Sequence, residues 1–190
     1  MKKLLSAALA ATAFAFPLAA QAAGAYVGAS VGSVEHKLTV DGDSASADKT
    51  GAKLLVGYGF TDYFGVELGY AHLGRLSGSA SDGINSASLS YKAQALYLAG
   101  TATLPLGSQF SLFAKGGITA NHAKGRVTLN GETKNGRSGN ATGMFGVGAA
   151  YSVNSALAIV AEYENFGKVL DKNEANTKAQ MVSVGLRYKF

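Results

Sequence analysis

Six charged residues lie in segments of alternating apolar and small residues, where ion pairs shielded from water are the chemistry to expect. They are Lys53, Glu67, Lys115, Glu162, Arg187 and Lys189. Side chains on a β-strand alternate between two faces with a period of two, and this places all six on the polar faces of predicted strands. Charges removed from bulk water need partners. We therefore expect the two carboxylates to pair with some of the four cations.

The sequence contains no recognisable catalytic or metal-binding pattern. His36, His72 and His122 are far apart, and none begins a His-x-x-x-His spacing. Serine is common, but nothing places a serine beside a histidine and an acid. The chain has no cysteine and so no disulfide. We expect no cofactor, no metal and no enzymatic activity, and a lipid-modifying enzyme is the third of three functional hypotheses.

Eight strand-like segments position the charged residues. They cover about 25–34, 50–60, 63–73, 88–104, 110–120, 142–151, 156–166 and 182–190. The connections alternate between short turns and long polar loops, and the loops are expected at 35–49, 74–87, 121–141 and 167–178. This pattern predicts an all-β fold, an eight-stranded antiparallel transmembrane β-barrel with an apolar outer face and a polar lumen.

The last strand has an unbroken alternation and ends on an aromatic residue. Val182, Val184, Leu186, Tyr188 and Phe190 share one face. Aromatic residues cluster near the short-turn ends of the strands, as expected of a girdle at a membrane interface. The predicted girdle consists of Phe60, Phe64, Phe110, Tyr151, Tyr188 and Phe190.

The N-terminus is typical of a secretory signal peptide. Lys2 and Lys3 precede an apolar stretch, and Ala20-Gln21-Ala22 is an A-x-A cleavage site. We predict a signal peptide at 1–22 and one barrel domain at 23–190. Without Lys2 and Lys3, 15 basic residues face 12 acidic residues, a formal charge of +3. This charge is too small to suggest a nucleic-acid partner.

Three segments resemble strands of the OmpA transmembrane domain. Residues 65–75 resemble its third strand, residues 91–106 its fourth strand and turn, and Ala161-Glu162-Tyr163 its seventh strand. The size and the ending also resemble the neisserial surface protein A group. The resemblance implies a barrel in a Gram-negative outer membrane, with periplasmic termini and extracellular long loops. It further implies insertion by the barrel-assembly machinery through the C-terminal strand.

The chain departs from the OmpA pattern in two respects. It shows no peptidoglycan-binding domain, so the resemblance does not carry over cell-wall tethering. The family has an ion-pair network in its lumen, to which Glu67, Lys115 and Glu162 correspond. Three further positions where the resemblance implies charges are uncharged here, namely Thr101, Ala150 and Val160.

The predicted lumen and loops lead to the remaining hypotheses. An eight-stranded barrel is just wide enough for its own side chains, which favours a polar plug over a selective path. The expected loop 121–141 carries Lys124, Arg126, Lys134 and Arg137 against Glu132. It is either an ordinary solvated loop or a contact for lipopolysaccharide phosphates, acidic host surfaces or other external ligands. We predict a structural and surface-display protein in contact with outer-membrane lipids, and the alternative is a small low-conductance porin.

Overall fold

The computed structural model describes residues 24–40, 43–81, 86–129, 132–172 and 175–190. The predicted signal peptide lies outside these residues. The strands are β1 (Ala25–Val40), β2 (Asp43–Gly59), β3 (Phe64–Ser81), β4 (Ser86–Pro105), β5 (Phe110–Leu129), β6 (Glu132–Ser152), β7 (Leu157–Lys172) and β8 (Ala175–Lys189). Each strand pairs with the next, and β8 closes the sheet by pairing antiparallel with β1. The predicted eight-stranded antiparallel barrel is confirmed. No helix in the described ranges is long and apolar enough to cross a membrane.

The period-two alternation places apolar side chains outside and polar or small side chains inside. On β2, Leu54 is 63% exposed on the outer face, whereas its neighbour Lys53 is 1% exposed in the lumen. On β8, Val184 lies outside and Ser183 is buried inside. In a soluble protein this arrangement would be inverted, because apolar side chains would fill the core.

The long loops expected from the sequence are mostly paired strand. The β5–β6 ladder continues without a register shift to Leu129↔Glu132, so it runs through most of the segment 121–141. Ladder hydrogen bonds use only backbone groups and therefore persist where the side chains become polar. The prediction of loops at these positions was wrong because the apolar alternation stops before the strand pairing does.

The connections at the other end are short, as predicted. Four residues separate β2 from β3, β4 from β5, and β6 from β7. Side-chain caps close two of these turns: Thr61 Oγ1 accepts a hydrogen bond from the Phe64 N–H at 3.0 Å, and Asn154 Oδ1 accepts one from the Leu157 N–H at 2.8 Å.

Apolar side chains fill two parts of the lumen. Toward the long hairpins, Val34, Leu73, Phe166 and Met181 are fully buried together. We call these four residues the apolar layer. Toward the short turns, Phe113 packs in a smaller cluster with the other two members, Ala150 and Val160. The OmpA resemblance implied charges at Ala150 and Val160, and here these two residues instead make apolar contacts with the Phe113 ring.

Two lumen glycines are required by rings that lie against them. A Cβ at Gly57 would lie 2.1 Å from the ring of Tyr26, and one at Gly69 would lie 2.2 Å from the ring of Tyr97. Both distances are far inside van der Waals contact, so any larger residue would displace the ring. These glycines therefore allow two tyrosines to lie across a narrow barrel.

Candidate functional site

A buried cluster of charges crosses the middle of the lumen, and Lys115 of β5 lies at its centre. The Lys115 Nζ lies 2.9 Å from a carboxylate oxygen of Glu67, 3.0 Å from one of Glu162 and 2.7 Å from one of Glu164. One ammonium group thus contacts three carboxylates, which reach it from β3 and β7. All four side chains are withdrawn from solvent.

Lys53 of β2 is the second buried cation of this cluster. Its Nζ donates to Glu162 Oε2 and, at 2.6 Å, to Glu164 Oε2. Glu162 therefore bridges the two lysines with its two oxygens, and Glu164 does the same. The shared contacts tie β2, β5 and β7 together across the barrel rather than along its wall.

Two tyrosines and an arginine complete the cluster around Glu67. The Tyr97 hydroxyl donates to Glu67 Oε1 at 2.5 Å, and the Tyr26 hydroxyl lies 3.5 Å from Glu67 Oε2. The guanidinium of Arg187 lies 3.6 Å from Glu67 and is held between the rings of Tyr26 and Phe113, at 4.7 and 4.9 Å from their centroids. Such cation–π contacts stabilise a cation that has lost part of its water.

The formal charges of the cluster balance. Three carboxylates face two lysines and one arginine. A buried ion pair gains little over an apolar pair, but removing one partner leaves an uncompensated charge and is strongly destabilising. The cluster is therefore suited to fixing which strands face one another, and its charges cannot be changed singly without cost.

The three carboxylates also form the one group of acidic or histidine residues in the described ranges that is close enough to hold a metal ion. Their oxygens lie within 4.8 Å of one another. Lys53 and Lys115 already occupy the space among these oxygens, and each forms ion pairs with two or more of them. The oxygens therefore serve as acceptors for ammonium groups, and the geometry is that of an ion-pair network.

Five of the six predicted lumen charges meet in this cluster, and one does not. Lys189 is exposed at the end of β8 and has no ion pair among the described residues. Sequence reasoning also left Glu164 and Tyr97 out of the site. Glu164 could have been included, since it lies two residues after Glu162 on the same strand face. Nothing in the sequence distinguished Tyr97 from any other strand tyrosine.

A cavity of about 870 Å³ opens on the short-turn side of the cluster. Tyr26, Thr101 and Arg187 line its inner part, and Lys189 lines its outer part. Thr101 is thus a lumen residue whose hydroxyl replaces an expected charge. The charged cluster forms the floor of this vestibule, and the apolar layer lies beyond it.

The predicted aromatic girdle lies at the short-turn end. All six of its side chains are exposed on the outer face. Edge-to-face pairs join Phe110 to Tyr151 at 5.3 Å and Tyr188 to Phe190 at 5.2 Å between ring centroids. Tyr63, which was not predicted, is also exposed there.

The predicted basic patch lies in strands rather than in a loop. Lys124 pairs with Arg137, Arg126 pairs with Asn135, and Lys134 pairs with Val127. Directly paired residues share a face, so Lys134 lies on the opposite face from the other three. The side chains of these four residues lie outside what the structure describes.

A closed barrel with an apolar outer face and an ion-paired lumen belongs to the class of transmembrane β-barrels. The chain matches the family model for the OmpA-like transmembrane domain over residues 20–190 and belongs to that family. It is 26% identical over 174 residues to outer membrane protein A of Escherichia fergusonii, and 28% identical over 172 residues to that of Salmonella typhi. Each match covers 87% of this chain and 48% of the relative, so the chain spans about half the length of these curated relatives.

Two solved structures share the fold at low sequence identity. Neisserial surface protein A aligns with a TM-score of 0.63 and 18% identity, covering 90% of this chain and 100% of its own. Ail of Yersinia pestis, solved with the heparin analogue sucrose octasulfate, aligns with a TM-score of 0.60 and 17% identity, covering 87% and 99%. Together with the family match, the curated relatives support an outer-membrane location for this chain.

Proposed function

We propose that the chain is a non-enzymatic structural and surface-display barrel whose hairpins contact lipopolysaccharide or external ligands. The observation that carries this proposal is the double obstruction of the lumen. The charged cluster around Lys115 crosses the barrel, and the apolar layer around Phe166 lies beyond it. The cluster and the layer are in contact: the ring centroid of Tyr97, which belongs to the cluster, lies 6.0 Å from that of Phe166, which belongs to the layer.

The proposal includes an orientation with the termini and short turns in the periplasm and the long hairpins outside the cell. The two ends of the barrel differ in the length of their connections, and this supports the orientation, since outer-membrane barrels have short periplasmic turns and longer extracellular connections. Removal of a signal peptide after Ala22 and insertion by the barrel-assembly machinery through β8 belong to the same proposal. Mass measurement of the protein purified from membranes tests the cleavage.

Single-cysteine labelling in intact cells tests the orientation. The chain has no cysteine, so each substitution introduces a unique thiol. Thr133→Cys, at an exposed position of the β5–β6 hairpin, should react with a membrane-impermeant maleimide. The matched variant Ser155→Cys, in an exposed short turn, should react only after the outer membrane is permeabilised. The reverse pattern would overturn the orientation and with it the display function.

Contact with external ligands is supported by charge and by one structural neighbour. The β5–β6 hairpin carries more basic than acidic residues, and Ail was solved with a sulfated sugar. An anionic surface is therefore the class of ligand that we propose for these hairpins.

A narrow pore is the second candidate function, and the contacts of Lys115 favour it. This lysine forms ion pairs with all three carboxylates, so alternative pairings are available without a large movement. A pore requires openings in a planar bilayer that shift with Glu67→Gln. A display barrel requires that the same variant remain silent.

A further inference from the structure

Four basic residues lie in one row across four adjacent strands. Arg75 of β3 pairs with Lys92 of β4, Lys92 pairs with Lys124 of β5, and Lys124 pairs with Arg137 of β6. Neighbouring strands are about 4.8 Å apart, so consecutive positions in the row are close neighbours. We call these four residues the basic row. They are far apart in the sequence, and only strand pairing brings them together.

The register places the basic row on the outer face of the barrel. Leu96 is exposed on that face, and Lys92 lies four residues before it on the same strand, hence on the same face. Neither the β4–β5 ladder nor the β5–β6 ladder has a register shift, so positions 124 and 137 share this face. Arg75 follows an irregularity in the β3–β4 ladder and is exposed.

The row lies just beyond the apolar part of the outer face. Toward the long hairpins, the last apolar row of the outer face includes Tyr70, Leu96 and Ala120, which pair across β3, β4 and β5. The next outward row contains His72, Gln94 and His122, and the basic row follows. Four residues along a strand span about 13 Å, or about 10 Å in height for tilted strands. In the proposed orientation, that height would correspond to the headgroup region of the membrane.

Among the described residues, few acidic side chains lie near the basic row. One is Asp48 of β2: Gly74 lies against Lys49, which places Arg75 near Asp48. Neither β4 nor β5 contains an acidic residue. The one acid of β3 is Glu67, which is bound in the lumen, and the one acid of β6 is Glu132, five residues before Arg137. Like charges at opposed positions destabilise a sheet, so an anion from outside the chain would stabilise this row.

We propose that the basic row binds the phosphate groups of lipid A, the membrane anchor of lipopolysaccharide. The proposal rests on the proposed outer-membrane orientation and assigns a site to its lipid contact. Basic side chains that start from strands about 4.8 Å apart can reach the oxygens of one phosphate and share them through charge-assisted hydrogen bonds. The acyl chains would then lie against the apolar outer face directly below the row.

Equilibrium binding to the protein purified from outer membranes tests the assignment. The probes are diphosphoryl lipid A and its monophosphoryl form, each presented in the same detergent micelles. Wild-type protein should bind the diphosphoryl form more tightly, and Arg75→Gln/Lys92→Gln should weaken that binding on the order of tenfold or more. Lys92→Gln alone should weaken it about fivefold. The matched variant Lys189→Gln removes an exposed cation at the other end and should stay within about twofold of wild type.

Three outcomes would overturn the proposal. They are equal affinity for the two lipids, an unchanged affinity in Arg75→Gln/Lys92→Gln, and an equal loss in Lys189→Gln. Row-dependent binding of a heparin oligosaccharide with row-independent binding of lipid A would instead assign the row to acidic polysaccharides. The cysteine labelling distinguishes failure of the site from failure of the proposed orientation. Labelling as expected together with failed lipid binding would reject the lipid A site and leave the orientation standing.

Discussion

At the scale of the residue, Lys115 is the side chain on which the lumen depends most. It compensates three buried carboxylates at 2.7–3.0 Å, whereas Lys53 contacts two of them and Arg187 approaches no closer than 3.6 Å. The sequence predicted that Lys115 faces inward, because strand periodicity fixes the face. It did not predict the partners, because those depend on how eight strands bring side chains together across a closed lumen.

Lys115→Met tests this dependence. Removing the shared ammonium leaves three carboxylates with too few cations, so we expect the free energy of unfolding to fall by about 3–5 kcal/mol. Urea titration of the purified barrel, followed by the gel-mobility difference between folded and unfolded forms, measures the change. Lys189→Met removes an exposed lysine with no described ion pair and should leave the midpoint nearly unchanged. Equal midpoints for wild type and Lys115→Met would contradict the central role of this lysine.

At the scale of the element, each long strand has two parts: one whose inward side chains pack in the lumen, and an extension toward the hairpin tip. On β5, Asn121 is buried and its Nδ2 donates to the Phe166 carbonyl at 2.9 Å. Four residues further on, Gly125 pairs with Gly136, and a Cβ at either would meet nothing within 4 Å. The sequence predicted the packed part correctly, since apolar alternation marks it. It could not predict the extension, because backbone pairing leaves no periodic trace in polar side chains.

Shortening the β5–β6 hairpin to two depths tests this division. Replacing 126–135 with Asn-Gly keeps the Gly125–Gly136 pair and supplies a favoured two-residue turn, so folding and the urea midpoint should be retained. Replacing 120–141 with the same turn removes Asn121 and its bond to Phe166, and the midpoint should fall. Urea titration measures both variants. Loss of folding in the shallow variant would show that the extension belongs to the folded core.

At the scale of the whole molecule, the barrel has three zones along its axis. The vestibule of about 870 Å³ opens at the short turns, the charged cluster closes it, and the apolar layer seals the hairpin side. The sequence predicted a polar plug, but it did not predict the apolar layer of Val34, Leu73, Phe166 and Met181. The period of two places these four residues on the inner face, but three of them end predicted strands and Met181 lies just before one. Periodicity therefore gives their face and does not show that they pack together across the lumen.

Two seals in series predict a specific order of conductance among variants. Glu67→Gln perturbs only the charged cluster, so the apolar layer should keep it silent in single-channel recordings. Phe166→Ala/Met181→Ala truncates two of the four residues of the apolar layer but leaves the charges paired, and it should be silent or show rare, brief openings. The triple variant opens both zones, and steady conductance is expected from it alone because water can then enter both. Steady openings of Glu67→Gln by itself would mean that the apolar layer is no seal, and the pore would replace display as the favoured function.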